Sequence, residues 1–97
     1  MLVAHVLEHL TEPLAQWLLG EYLPFVRSGG RIVIVTPQER GFVSDDTHVR
    51  FVDDVRIAQH CVRLGLAVEK SYSFPFPRRV GTLFAYNEFV VVARVAN

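Results

Sequence analysis

Ser28-Gly29-Gly30-Arg31-Ile32-Val33-Ile34-Val35-Thr36-Pro37 is the stretch on which the fold turns. Arg31 to Thr36 is a continuous β-branched run without polar alternation, the pattern of a strand buried on both faces of a parallel sheet. Ser28-Gly29-Gly30 before it stops a helix and permits positive φ at a C-cap. Pro37 after it ends the run.

Upstream, the spacing predicts a helix from Glu12 to Val26. Thr11 suits the N-cap and Pro13 the first turn, where no backbone donor is needed. Leu14, Trp17, Leu18, Tyr22 and Phe25 recur at three- and four-residue intervals and form one apolar face. Pro24 distorts the last turn. Leu2-Val3-Ala4, ahead of the helix, is a short apolar stub read as a strand.

Downstream, Pro37 to His48 is a long polar connection with Gly41, Ser44, Asp45 and Asp46. Such a connection after a buried strand is either a functional loop or a disordered excursion, and both readings stand. A second helix spans Phe51 to Leu64. Its inner face is Val52, Val55, Ile57, Ala58, Cys61, Val62 and Leu64, and Asp53 and Asp54 sit at the positive end of its dipole. Gly65 terminates it. Leu66 to Phe76 alternates as a half-exposed strand with Val68, Tyr72, Phe74 and Phe76 on one side, and Pro75 and Pro77 mark it as an edge. Arg78 to Thr82 is a turn, and Leu83 to Val95 is the last strand, centred on Phe89 to Ala93.

The order is strand, helix, strand, helix, strand, strand. It predicts an α/β fold, a partial Rossmann-like sheet with right-handed parallel crossovers. The final two strands are joined too tightly for a crossover and must be antiparallel. The 97 residues make one domain, 1–97. A chain of this size buries only ~60–70% of its unfolded surface, so its stability margin is thin.

Composition excludes several classes. Ten basic and ten acidic residues cancel, which removes long-range attraction to nucleic acid or anionic membrane. An apolar fraction of 51% with no net charge favours self-association. Cys61 is the only cysteine, so there is no intrachain disulfide and the expected compartment is the reducing cytoplasm. The apolar runs are too short to span a bilayer, and the first residues, with His5 and Glu8, do not read as a secretory leader.

His5-Val6-Leu7-Glu8-His9-Leu10, the Gly29-Gly30 stop, the strand closing on Thr36-Pro37, His48 near Phe51, the Leu64-Gly65 turn and Glu88-Phe89-Val90-Val91-Val92-Ala93-Arg94 come in a telling order. Together they resemble the carboxyl-terminal half of a class I S-adenosylmethionine-dependent methyltransferase, of the type 11/12 kind, over essentially the whole chain. The resemblance implies that Ala4 and His5 line the donor pocket. It places Glu8, His9, Gln38, Arg40 and His48 on the acceptor side, with Glu39, Asp45 and Asp46 in the same connection. The family's Gly-rich donor loop and the acidic residue that holds the ribose have no counterpart here. S-adenosylmethionine is therefore expected in a full-length parent and not on this chain alone.

Two functional expectations follow from the resemblance. The chain is a methyltransferase fragment, with transfer to an unidentified acceptor belonging to a longer or assembled protein. Alternatively it is an inactive half-domain that serves as an interaction module. In both, surface left bare by the absent half predicts a homo-oligomer.

No metal is expected from the sequence, although His5, Glu8 and His9 have helix-compatible spacing that His48 can join. Imidazole and carboxylate suit Zn²⁺, Mn²⁺ or Fe²⁺, and small-RNA 2′-O-methyltransferases look similar, with a Glu-x-x-Glu-His run and a distant His around a divalent ion. Here His5 stands where their first Glu does. Arg78 and Arg79 beside Phe74, Pro75, Phe76 and Pro77 are too few for a nucleic-acid surface, and Cys61 reads as a buried structural thiol.

Overall fold

A computed structural model describes residues 1–96. Its core is a four-stranded mixed sheet in the order β1-β2-β4-β3. β1 (Leu2–Ala4) leads through a 3₁₀ turn (Leu7–His9) into α1 (Glu12–Tyr22), whose end is wound into a further 3₁₀ turn at Leu23–Phe25. β2 (Arg31–Pro37) runs parallel to β1. α2 (Glu39–Val43) and α3 (Asp54–Arg63) separate it from β3 (Ala67–Phe74), and a 3₁₀ turn (Arg78–Thr82) precedes β4 (Glu88–Arg94). β4 inserts between β2 and β3 and is antiparallel to both. The element order and the antiparallel final pair agree with the sequence reading, and α2 adds a short helix to what reads as open loop.

Residues in register across a sheet share a face. Ile32, Ile34, Phe89, Val91 and Ala93 lie on one face and form the core with Ala15 and Leu19 of α1 and Ile57 and Cys61 of α3. The opposite face carries Val33, Val35 and Val92, all half-buried, with Tyr72 and Phe74 exposed. The expectation that β2 is buried on both faces therefore needs correction. Its helix-facing side is sealed, and its other side is only partly covered.

Both helices also turn differently from the pattern. On α1, the buried pair is Ala15 and Leu19, four residues apart on one side of the helix. Trp17 and Phe25, read as inward, are 61% and 83% exposed, and Leu14 and Tyr22 point outward with them. On α3, Val55 and Val62 are exposed, while His60 is buried in the place a hydrophobe would take. That helix starts later than Phe51: Asp53 is its N-cap and accepts a hydrogen bond from Arg56 N at 2.9 Å, which satisfies one of the orphan amides. Gly65, at φ +76°, closes it. β3 is an edge strand, as the prolines foretold, but a register shift between Val68 and Lys70 breaks its alternation and nearly every residue is exposed. Among the described residues no helix is long and apolar enough to cross a membrane.

Candidate functional site at the carboxyl ends of β1 and β2

Because β1 and β2 are parallel, their carboxyl ends open on the same edge, the place where α/β sheets hold ligands. The chain leaves β1 at His5, which has φ +58°. Left-handed backbone is uncommon for a residue with a side chain, and here it turns the chain sharply into the Leu7–His9 turn. His5 N donates to Val35 O at 3.0 Å, which fixes the turn to the end of β2. Leu7 is fully buried and anchors the turn in the core.

Glu8 is buried without any exposed surface. Its carboxylate Oε2 lies 3.6 Å from His5 Nδ1, 3.9 Å from His9 Nε2 and 3.9 Å from His48 Nε2. Neither carboxylate oxygen has a hydrogen-bond partner among the described residues. His48 comes from the connection after β2, forty residues beyond Glu8, and the backbone explains its arrival. Val49 N and Arg50 N both donate to Glu8 O, at 2.7 and 3.0 Å, so the segment carrying His48 is clipped onto the turn. Phe42 stacks on the His48 ring, with centroids 5.3 Å apart, and meets Phe51 edge-on. Asp45 accepts from Thr47 N and Thr47 Oγ1, and these bonds hold its carboxyl below the usual carboxylate range.

The residues assigned to the acceptor side thus divide. Glu8, His9 and His48 converge, with His5 beside them. Ala4 is half-buried in β1, and His5 turns its Nε2 to Glu88 Oε2 at the start of β4. Arg40 is exposed on α2, and Glu39 forms a two-pronged pair with Arg78 at 2.7 Å, which keeps the Glu39 carboxyl low and the Arg78 guanidinium high. Asp46 is solvent-exposed.

Gln38 requires a correction. It is fully buried, and its amide nitrogen donates to Ser73 Oγ (2.8 Å) and Glu88 O (3.1 Å). Its amide oxygen accepts from Asn87 Nδ2 at 2.9 Å. With its polar atoms so engaged, Gln38 clamps the sheet's end and has nothing left for a substrate. Asn87, fully buried beside it, also accepts from Phe76 N at 2.9 Å.

A second polar cluster had no distinct signal in the sequence. His60, buried between α1 and α3, meets Gln16 Oε1 through Nδ1 and Arg50 Nη2 through Nε2. Burial, and then the Arg50 charge, push the His60 pKa down from its ordinary value. Arg63 pairs with Glu12 at 2.6 Å and draws the Glu12 carboxyl down. Nothing in the alternation of α3 separates His60 from a solvent-facing polar residue. Its spacing of three from Ile57, on the buried side, was the only hint.

No family model matches this chain, and no curated protein matches it.

Proposed function

We propose that the chain is the acceptor-side half of a class I S-adenosylmethionine-dependent methyltransferase domain, which transfers a methyl group only as part of a longer or assembled protein. The observation that carries the reading is the gathering of Glu8, His9 and His48, with His5 at the mouth, at the carboxyl ends of two parallel strands. That edge is where an α/β sheet presents its ligand, and the residues there are those that the family resemblance places on the acceptor side. The donor enters from the first half of such a domain, so S-adenosylmethionine belongs to the parent. With one cysteine, Cys61, buried and unpaired, we assign the protein to the reducing cytoplasm.

The test is the coding sequence upstream of Met1. An in-frame strand, Gly-rich loop and helix is the expected result. A stop codon followed by a ribosome-binding site overturns the enzyme reading.

A specific surface favours the second reading, an interaction module. β1 is an edge strand with exposed Leu2, and a groove lined by Met1, Leu2, Val3, Val6, Leu18 and Tyr22 runs beside it. Trp17 and Phe25 are exposed as well. An open edge next to apolar surface invites pairing with another chain. In this reading the chain is a homo-oligomer, and light scattering that finds only monomer at every concentration excludes it.

A further inference from the structure

A buried carboxylate without donors is costly, and native buried polar groups nearly always have a partner. Glu8 has none among the described residues. The imidazole nitrogens around it stand at 3.6 to 3.9 Å, beyond hydrogen-bond length. Which nitrogen carries the hydrogen in the neutral ring can be read from their other contacts. His48 Nδ1 lies 2.8 Å from Phe42 O, and His9 Nδ1 lies 3.0 Å from Thr47 O. A carbonyl oxygen only accepts, so each Nδ1 carries the hydrogen. In the neutral ring each Nε2 is then a bare lone pair, and both face the Glu8 carboxylate. Three acceptors converge on one space, and a cation satisfies them all.

We propose that Glu8, His9 and His48 bind a divalent first-row transition-metal ion. Their ligand atoms lie within 4.8 Å of one another. Donors around a tetrahedral ion with bonds of ~2.0–2.1 Å stand roughly 3.3–3.5 Å apart. The two contacts to Glu8 therefore close by a few tenths of an ångström, and rotation of the imidazoles brings their nitrogens together. The Nδ1–H to carbonyl bonds are the outer support that orients metal-binding histidines. Two imidazoles and one carboxylate suit zinc, iron(II) or manganese(II), and three protein ligands leave coordination positions for an exogenous ligand. His5, whose Nε2 is held by Glu88 and whose Nδ1 stands 3.6 Å from Glu8 Oε2, lies outside the trio whose ligand atoms gather. The ion also ties the connection carrying His48 to the turn carrying Glu8. None of this depends on methyl transfer.

The experiment uses the untagged chain, stripped with a chelator, dialysed, and titrated with Zn²⁺ or Co²⁺. The expected result is one ion per chain, a chelator-reversible rise in the thermal midpoint, and a Co²⁺ ligand-field spectrum of nitrogen and oxygen coordination. His9→Ala and His48→Ala should each weaken binding at least about a hundredfold, more than loss of an outer support does. Glu8→Gln should lose the ion yet fold no less stably than the stripped protein, because its amide can donate to a bare Nε2. Absence of stoichiometric metal after re-addition overturns the proposal. So does unchanged affinity in Glu8→Gln or, should that variant not fold, in His9→Ala.

Discussion

Asn87→Ala offers a sharp test of how the sheet's carboxyl edge is held. The side chain accepts from Phe76 N and donates to Gln38 Oε1, with longer contacts to Phe76 O and Pro77 O at 3.1 and 3.3 Å. Truncation leaves Gln38 Oε1 without its donor in a fully buried place, at about 1–3 kcal/mol. The bond to Phe76 N, on an exposed residue whose amide water can reach, adds about 0.5–1.5 kcal/mol. The expected loss is therefore about 2–4 kcal/mol. Against a domain stability of about 5–15 kcal/mol this is a large fraction. Urea unfolding followed by far-ultraviolet circular dichroism should show a midpoint lowered by roughly 1–2 M at a slope of about 2 kcal/mol/M, the middle of the usual range. Asn87→Asp keeps the acceptor for Phe76 N but turns an oxygen on Gln38 Oε1. It should be destabilised at neutral pH and recover as acid protonates the new carboxyl. A loss below about 1 kcal/mol for the alanine variant, or wild-type stability for the aspartate variant at neutral pH, refutes the clamp.

Other expectations concern the core and its titration. Leu19→Ala should cost about 2–5 kcal/mol, whereas Trp17→Ser should stay within about 0.5 kcal/mol and raise solubility; equal losses in urea unfolding would mean that α1 is rotated. His60 is held neutral by burial, so between its unfolded value of 6.5 and its lower folded one the unfolded chain binds the extra proton. Stability from this group is thus intact above pH 6.5 and is lost as pH falls, by up to about 1.4 kcal/mol per unit; urea unfolding across pH should lose that slope in His60→Asn. Cys61 is buried and its thiol is pushed up to about 11, so a thiol reagent at mildly alkaline pH should label it only in denaturant. Gly81→Ala would set a Cβ against the Gln38 side chain, and a lowered thermal midpoint is expected.

The legible parts of this molecule were those that local chemistry determines. The β-branched run at Arg31 to Thr36 and the Gly65 stop placed β2 and the end of α3, and Pro75 and Pro77 identified β3 as an edge. What escaped was tertiary in origin. Trp17 and Ala15 both lie on a helix with apolar residues on two sides, and only the tertiary packing decides that Ala15 and Leu19 are the buried pair. Gln38 lies in a polar stretch that reads as solvated loop, and its burial depends on Asn87, which the register of β2 with β4 brings to it. At the candidate site the order of residues suggested that Glu8, His9 and His48 belong together. The lone-pair conflict between them emerged only from the carbonyls of Phe42 and Thr47, which no spacing reveals.

Calorimetric titration with S-adenosylmethionine decides whether the proposed acceptor-side half is without a donor site of its own. No saturable heat is expected from residues 1–97 alone, and one-to-one binding is expected of the longest protein the gene encodes. Saturable binding by the 97-residue chain, or none by the longer protein, would contradict it.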